Sequence, residues 1–301
     1  MEFSVSSNIT AENAQNVIEH MTNSEEAVPF TTHADELWCR FFSKGFFGFG
    51  EQGNFENFTI PHFIPLILFG IAIFLIWRFR AFFRAWKFEE NFRFICAAIM
   101  ILVEMSYFWR LLYVGSGETG QIVSLLDKLP LQVCEWTCII CAFMVMKKKN
   151  NWMFQICFFV CLIAGSCALA IPDNAIGTAG PAYYRYYQFW LEHMLPMLAV
   201  FYMVFVHGFR PKMRGIFISA GFLTILGIIA IILNASLPKE HNPEYLYFYL
   251  FEGVPIIGKP WVTPIFFAIL VFSGFFGLYY LSKLIMMLRK KYVEKKALET
   301  K

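Results

Sequence analysis

The stretch LPLQVCEWTCIICAFMVMKKK, residues 129–149, is an apolar run the length of a membrane-crossing helix, and it ends in three lysines. About 20 apolar residues rising 1.5 Å each cross roughly 30 Å of hydrocarbon, and lysines crowded at one end mark the cytoplasmic side. Stretches of the same kind lie near 61–79, 92–113, 129–146, 153–171, 186–207, 214–234 and 261–282. They predict an all-α fold, a polytopic bundle of seven transmembrane helices. Composition agrees: 58% of the residues are hydrophobic, 16% charged and 36 are Phe, with a mean hydropathy of +0.53. Such a chain reads as a multi-pass protein of the cell membrane, and nothing in it suggests a nucleic-acid partner.

Loop charges give the direction of each span. Arg78, Arg80, Arg84, Lys87 and Arg93 follow the first, Lys147 to Lys149 the third, Arg210, Lys212 and Arg214 the fifth, and Lys283 to Lys301 supply the tail. The alternate loops hold only Lys128, Arg185, Lys239 and Lys259 as basic residues. The N-terminus is therefore expected outside and the C-terminus in the cytoplasm. Three regions follow: an acidic extracytoplasmic tail over 1–60 with an interfacial or capping helix at 34–47, the seven-helix domain over 61–288, and a basic cytoplasmic tail over 289–301. The tail contains no apolar core of a signal peptide.

Seven of the eight cysteines fall within the spans, so a disulfide framework is not expected. Cys134, Cys138 and Cys141 have the C-x3-C-x2-C spacing of radical-enzyme iron–sulfur loops. On a helix, however, the outer two stand about 10 Å apart, too far to ligate one cubane. No metal and no cofactor are expected.

Ionisable groups inside spans are costly and face the bundle interior or a wet cavity. Counted from their outer ends, Cys134 on the third span lies about 8 Å deep and His193 on the fifth about 10 Å. Glu104 and Arg110 on the second lie about 14 and 5 Å below the same edge. His62, Gln132, Gln188 and Glu192 share that outer layer. A cysteine, a histidine and an acid at one depth are the parts of a thiol nucleophile, its base and an orienting group. Taken singly, each is more often a packing residue or a helix–helix hydrogen-bond partner. Glu192 points about 100° away from its neighbour His193, so Glu104 is the expected orienter, and Glu192 is expected to pair with Arg110 or with Gln188. Pro130 fits the first helical turn of the third span, which would put Cys134 beyond the reach of the helix dipole.

LPLQVC at 129–134, YQFWLEH at 187–193, His62 ahead of the first span, Glu104 in the second, and the later NPEYLYFYL and KPW segments carry a recognisable pattern. Over residues 55–290 the chain resembles the YwaF-type family of bacterial integral membrane proteins, whose vertebrate relative is transmembrane protein 164. The acidic tail is not covered, and KPWVTP follows the family's Pro/Trp-rich start of the last span only loosely. The resemblance implies seven helices and, from the vertebrate member, a phospholipid acyltransferase that works through a cysteine. That cysteine matches Cys134, and the motif histidine matches His193. Membrane phospholipids and a lysophospholipid acceptor are the implied partners. From the shared outer layer, Arg110 or His62 is expected to hold the phosphate, and Gln132, Gln188 and Glu192 to line the site.

Two other functions share the topology. A heptahelical receptor or photosensor would need features that are missing: no lysine stands between 261 and 282 for a retinal Schiff base, and no Asp-Arg-Tyr or Asn-Pro-x-x-Tyr segment occurs. A small-solute transporter would favour spans broken at the midplane, and Pro196 and Gly165 are only mild breaks.

Overall fold

The computed structural model describes residues 55–114, 132–147, 151–172, 180–181, 184–236 and 263–299. Their regular elements are all helical: α1 Ile60–Arg78, α2 Arg80–Ala85, α3 Glu89–Val114, α4 Val133–Met146, α5 Asn151–Ala170, α6 Tyr184–Phe205, α7 Met213–Ser236 and α8 Thr263–Glu299. The helix expected at 34–47, and the NPEYLYFYL and KPW segments, lie outside the described residues.

Five helices, α1, α5, α6, α7 and α8, are long and apolar enough to cross a membrane. The expected third span is a shorter apolar helix of 14 residues, α4. The expected second span lies within the 26 residues of α3. At the C-terminus, α8 runs unbroken for 37 residues through the basic segment that the sequence suggested was a separate tail. At 1.5 Å per residue it is about 55 Å long, so it outruns any hydrocarbon layer and carries its lysines beyond it.

Burial ranks the helices. About two thirds of the apolar windows of α5 and α6 are buried, 61% and 67%, against 11% for α1 and 6% for α8. α5 and α6 form the centre, α4 packs against both, and α3 lies against α4 and α6. α1 is apolar all round and turns Phe63, Ile64, Ile67, Leu68, Ile71 and Phe74 outward, as a lipid-facing helix does. Close approach at the centre depends on Gly165, where a Cβ would come within 2.8 Å of Met197 Sδ and 3.8 Å of the His193 carbonyl oxygen.

Without water inside a bilayer, helix ends and polar side chains must find partners within the protein. At one end of the bundle two arginines meet this demand. Arg84 donates from Nε to the Val206 carbonyl at 2.6 Å and from Nη2 to that of Phe205 at 2.7 Å, closing the end of α6. Arg93 is 2% exposed; its Nη1 donates to the carbonyls of Val145 and Met146 at the end of α4, the latter at 3.0 Å. Its Nε donates to Glu89 Oε1 at 2.8 Å, and the same oxygen accepts from Tyr202 Oη at 3.0 Å and lies 2.8 Å from His207 Nε2. Two of the basic residues expected in a loop, Arg84 and Arg93, thus lie in helices and cap the ends of others. Nearby, Gln155 donates to Asn151 Oδ1 and to the Arg210 carbonyl and accepts from the Lys212 N–H, tying α5 to the segment between α6 and α7.

The opposite end is closed by His62. Its Nδ1 accepts the Phe58 N–H at 2.9 Å, so the hydrogen is on Nε2, which donates to the Leu169 carbonyl at the end of α5, also 2.9 Å away. Phe58 stands at φ 66°, a conformation that non-glycine residues rarely adopt, and the bond to His62 holds it there. Tyr186 Oη donates to the Pro61 carbonyl at 2.5 Å, and Ser106 bonds the Tyr184 hydroxyl. The starts of α1 and α6 therefore share one end with the finishes of α3 and α5, an up-and-down arrangement.

Replacing Arg93 with Ala would remove the guanidinium from buried Glu89, leaving only Tyr202 and His207 of the contacts described at its Oε1, and open the end of α4. A loss of about 3 kcal/mol is expected, seen as a lower melting temperature in detergent micelles. Lys290→Ala, which breaks the exposed Lys290–Glu294 pair, should leave melting unchanged. An Arg93→Ala protein that melts like the native one would refute the role given to this residue.

Candidate functional site: a thiol–imidazole pair at the end of the bundle

The first turn of α4 sets the position of Cys134. Glu135 Oε2 accepts the Gln132 backbone N–H at 2.7 Å, the carboxylate half of a capping box, and the first intrahelical bond runs from Trp136 N–H to the Gln132 carbonyl at 3.2 Å. The helix thus begins at Val133 rather than at Pro130, which lies outside the described residues. This corrects the expected position of Cys134: it is the second residue of the helix. At that point the backbone N–H groups of Val133 and Cys134 have no carbonyl within the helix to donate to, and the dipole favours negative charge.

His193 meets Cys134 from α6. Its Nε2 stands 3.2 Å from Cys134 Sγ, while Nδ1 lies 2.8 Å from the Phe189 carbonyl oxygen, one turn earlier on its own helix. A carbonyl only accepts, so Nδ1 carries the hydrogen. Nε2 then presents a lone pair, and the Cys134 S–H is the donor. The Phe189 ring lies against the imidazole at a tilt of 35° with centroids 4.2 Å apart, restricting its rotation.

The other residues singled out in the sequence separate into clear groups. The orienting bond to His193 comes from the Phe189 carbonyl and not from Glu104, whose expected part was the orienter. Glu192 pairs with Gln188, which donates from Nε2 at 2.7 Å, and with Arg185 at 3.4 Å. Gln188 also accepts from Arg185 Nη1. His62 uses both ring nitrogens in the contacts described above, which leaves it no N–H for a phosphate. Gln132 is the capping residue of α4. The Arg110 side chain lies outside the described set, so its expected pairing with Glu192 does too.

Glu104 stands apart. It is 5% exposed, and its Oε2 is one of three buried polar atoms with no hydrogen-bond partner among the described residues, beside Trp136 Nε1 and Trp190 Nε1. It lies within electrostatic reach of Cys134, Glu135, Glu192 and Arg185. These groups thus share one polar layer.

The other thiols belong to the core. Cys138 Sγ donates to the Met100 carbonyl at 3.6 Å, so it turns away from His193. The sulfurs of Cys141, Cys157 and Cys161 lie within 4.8 Å of one another, with Cys141 and Cys161 at 3.5 Å. Two of these come from the i, i+4 pair on α5, which the spacing read along α4 alone did not reveal. Arg185, the Phe189 carbonyl and the Arg93–Glu89 network were also not singled out beforehand. A lone arginine at the start of a helix, and a generic carbonyl one helical turn back, carry no spacing signal.

The sequence model of the TMEM164 family matches residues 57–280. The chain belongs to the TMEM164 family. The match takes in every described helix that supplies the site, from His62 on α1 to His193 on α6, and all of α7. No curated protein and no solved structure matches the chain. Within this TMEM164 family member, the polar layer combines a half-buried cysteine, a base with a defined lone pair, and a helix start.

Cys134 is half-buried, whereas Cys138, Cys141, Cys157 and Cys161 are buried. N-ethylmaleimide, followed by peptide mass mapping, should therefore modify Cys134 ahead of those four. His193→Phe should slow the modification about tenfold by removing the group that accepts the thiol proton. Equal rates at Cys134 and the buried four would contradict the geometry.

Proposed function

We propose that this protein is a seven-span phospholipid acyltransferase of the cell membrane, with its N-terminus outside, its C-terminus cytoplasmic and its site near the outer leaflet. The observation that carries the reading is the 3.2 Å contact between Cys134 Sγ and a His193 Nε2 whose lone pair is fixed by the bond from Nδ1 to Phe189. A thiol hydrogen-bonded to an oriented base is the starting arrangement for nucleophilic attack on an ester. The apolar surroundings suit a substrate whose chains stay in the bilayer.

In the first half-reaction His193 Nε2 takes the Cys134 proton as Sγ attacks the carbonyl carbon of a donor phospholipid. The C–S bond forms, and the oxyanion is held by the backbone N–H groups of Val133 and Cys134 at the start of α4. Collapse breaks the ester C–O bond, and His193 returns its proton to the departing oxygen. An acyl thioester on Cys134 and a lysophospholipid remain. In the second half-reaction the hydroxyl of an acceptor lysophospholipid gives its proton to His193, its oxygen attacks the thioester, and the C–S bond breaks as His193 returns the proton to Sγ, regenerating the thiol.

Lipid mass spectrometry of cells producing the native protein, Cys134→Ala or His193→Ala tests this reading. Acyl remodelling of phospholipids should disappear with Cys134→Ala and fall by roughly 10²- to 10⁴-fold with His193→Ala. Unchanged lipids in both variants would remove the acyltransferase reading.

A further inference from the structure

Three thiols stand together in the centre of the bundle and take no part in the chemistry assigned to Cys134. Cys141 comes from α4, and Cys157 and Cys161 lie one turn apart on α5; the three sulfurs are within 4.8 Å of one another, with Cys141 and Cys161 at 3.5 Å. Their residues are 0%, 0% and 4% exposed. Cys141 follows Cys134 by two helical turns, about 10 Å, so this cluster is separate from the thiol–imidazole pair. Bonds of about 2.3 Å from sulfur to one central atom set three sulfurs about 3.3 to 4.0 Å apart, from a pyramid with near-right angles to a flat triangle. The 3.5 Å pair already meets that requirement, and the remaining separations need only side-chain rotation to meet it.

Charge decides which atom suits the triangle. A coordinating thiol gives up its proton, and a net charge is costly in a core that includes Met144, Phe158 and Val160. Three thiolates around copper(I) leave two negative charges, and around zinc they leave one. A soft trivalent atom is neutralised by the same three thiolates. We propose that Cys141, Cys157 and Cys161 form a binding site for trivalent arsenic, taken up as neutral arsenous acid. In the exchange As(OH)3 and three thiols give As(SR)3 and three waters: three As–S bonds replace three As–O bonds, each thiol hydrogen leaves with a hydroxide as water, and arsenic stays trivalent. No charge enters the core. Cys141 gives up only its weak S–H donation to the Pro196 carbonyl, 3.7 Å away. The product joins α4 to α5 through covalent bonds, and it does not depend on the acyl-transfer reading of Cys134.

The test uses the full-length protein in detergent micelles, kept reduced with a phosphine, incubated with arsenous acid and freed of excess by gel filtration. Intact-mass spectrometry separates the possible products. Capture by three thiols adds one arsenic and removes three hydrogens, whereas capture by two leaves a hydroxyl on the arsenic. Native protein and Cys138→Ala, whose sulfur turns to Met100 instead, should gain the three-thiol mass to within twofold of each other. Cys141→Ala, Cys157→Ala and Cys161→Ala should each show at least a tenfold loss of it. X-ray absorption at the arsenic edge of the loaded native protein should show three sulfur neighbours and no oxygen, a result that needs no variant to fold. A two-thiol mass alone, an oxygen neighbour at arsenic, equal three-thiol capture by Cys157→Ala, or no capture by the native protein would each overturn the assignment.

Discussion

The buried Arg93 guanidinium joins the parts of this bundle on which the rest depends. Its bonds to Val145 and Met146 end α4, and its bond to Glu89 fixes a carboxylate oxygen that also meets Tyr202 and His207 of α6 and the segment after it. α4 and α6 are thereby anchored to the start of α3 at a common end. In an apolar medium such contacts have no competing water, so the relative heights of the two helices are set there. Helix rise does the rest: residues the same number of turns from the pinned ends of the two helices meet at one level.

At that far level the structure places a thiol at the second position of one helix against an imidazole buried within another. Neither residue is oriented by an acid. The carbonyl of Phe189 fixes the tautomer of His193, and the carboxylate of Glu135 serves the helix start instead. A neutral orienting group suits a site inside a membrane, where an ionised carboxylate would bring its own desolvation cost. Among the three acids near Cys134, Glu135 and Glu192 have partners, and Glu104 Oε2 has none among the described residues.

The apolar runs and the loop lysines and arginines made the helices and their alternation legible, because hydrocarbon thickness and helix rise leave little freedom in length. The nearness of Cys134 and His193 was legible for the same reason: both could be counted from helix ends on one side. The start of α4 was misplaced because Leu129 and Leu131 continue the apolar run, while the deciding signal was the weaker Gln132–Glu135 capping pattern. His62 read as a phosphate ligand because nothing local shows that a residue ahead of α1 meets Leu169, 107 positions away. The role of Phe189 was not legible, since a backbone carbonyl has no sequence signature. The unpartnered oxygen of Glu104 was hidden too, because lacking a partner is a property of the packed structure alone.

The central claim is that Cys134 carries an acyl group in the working protein. Intact-mass spectrometry of the protein purified from membranes, before and after neutral hydroxylamine, reads this directly. The account predicts a fatty-acyl mass increment on part of the native protein that hydroxylamine removes and that Cys134→Ala lacks. An increment that persists in Cys134→Ala, or native protein that carries none after incubation with phospholipid, would contradict it.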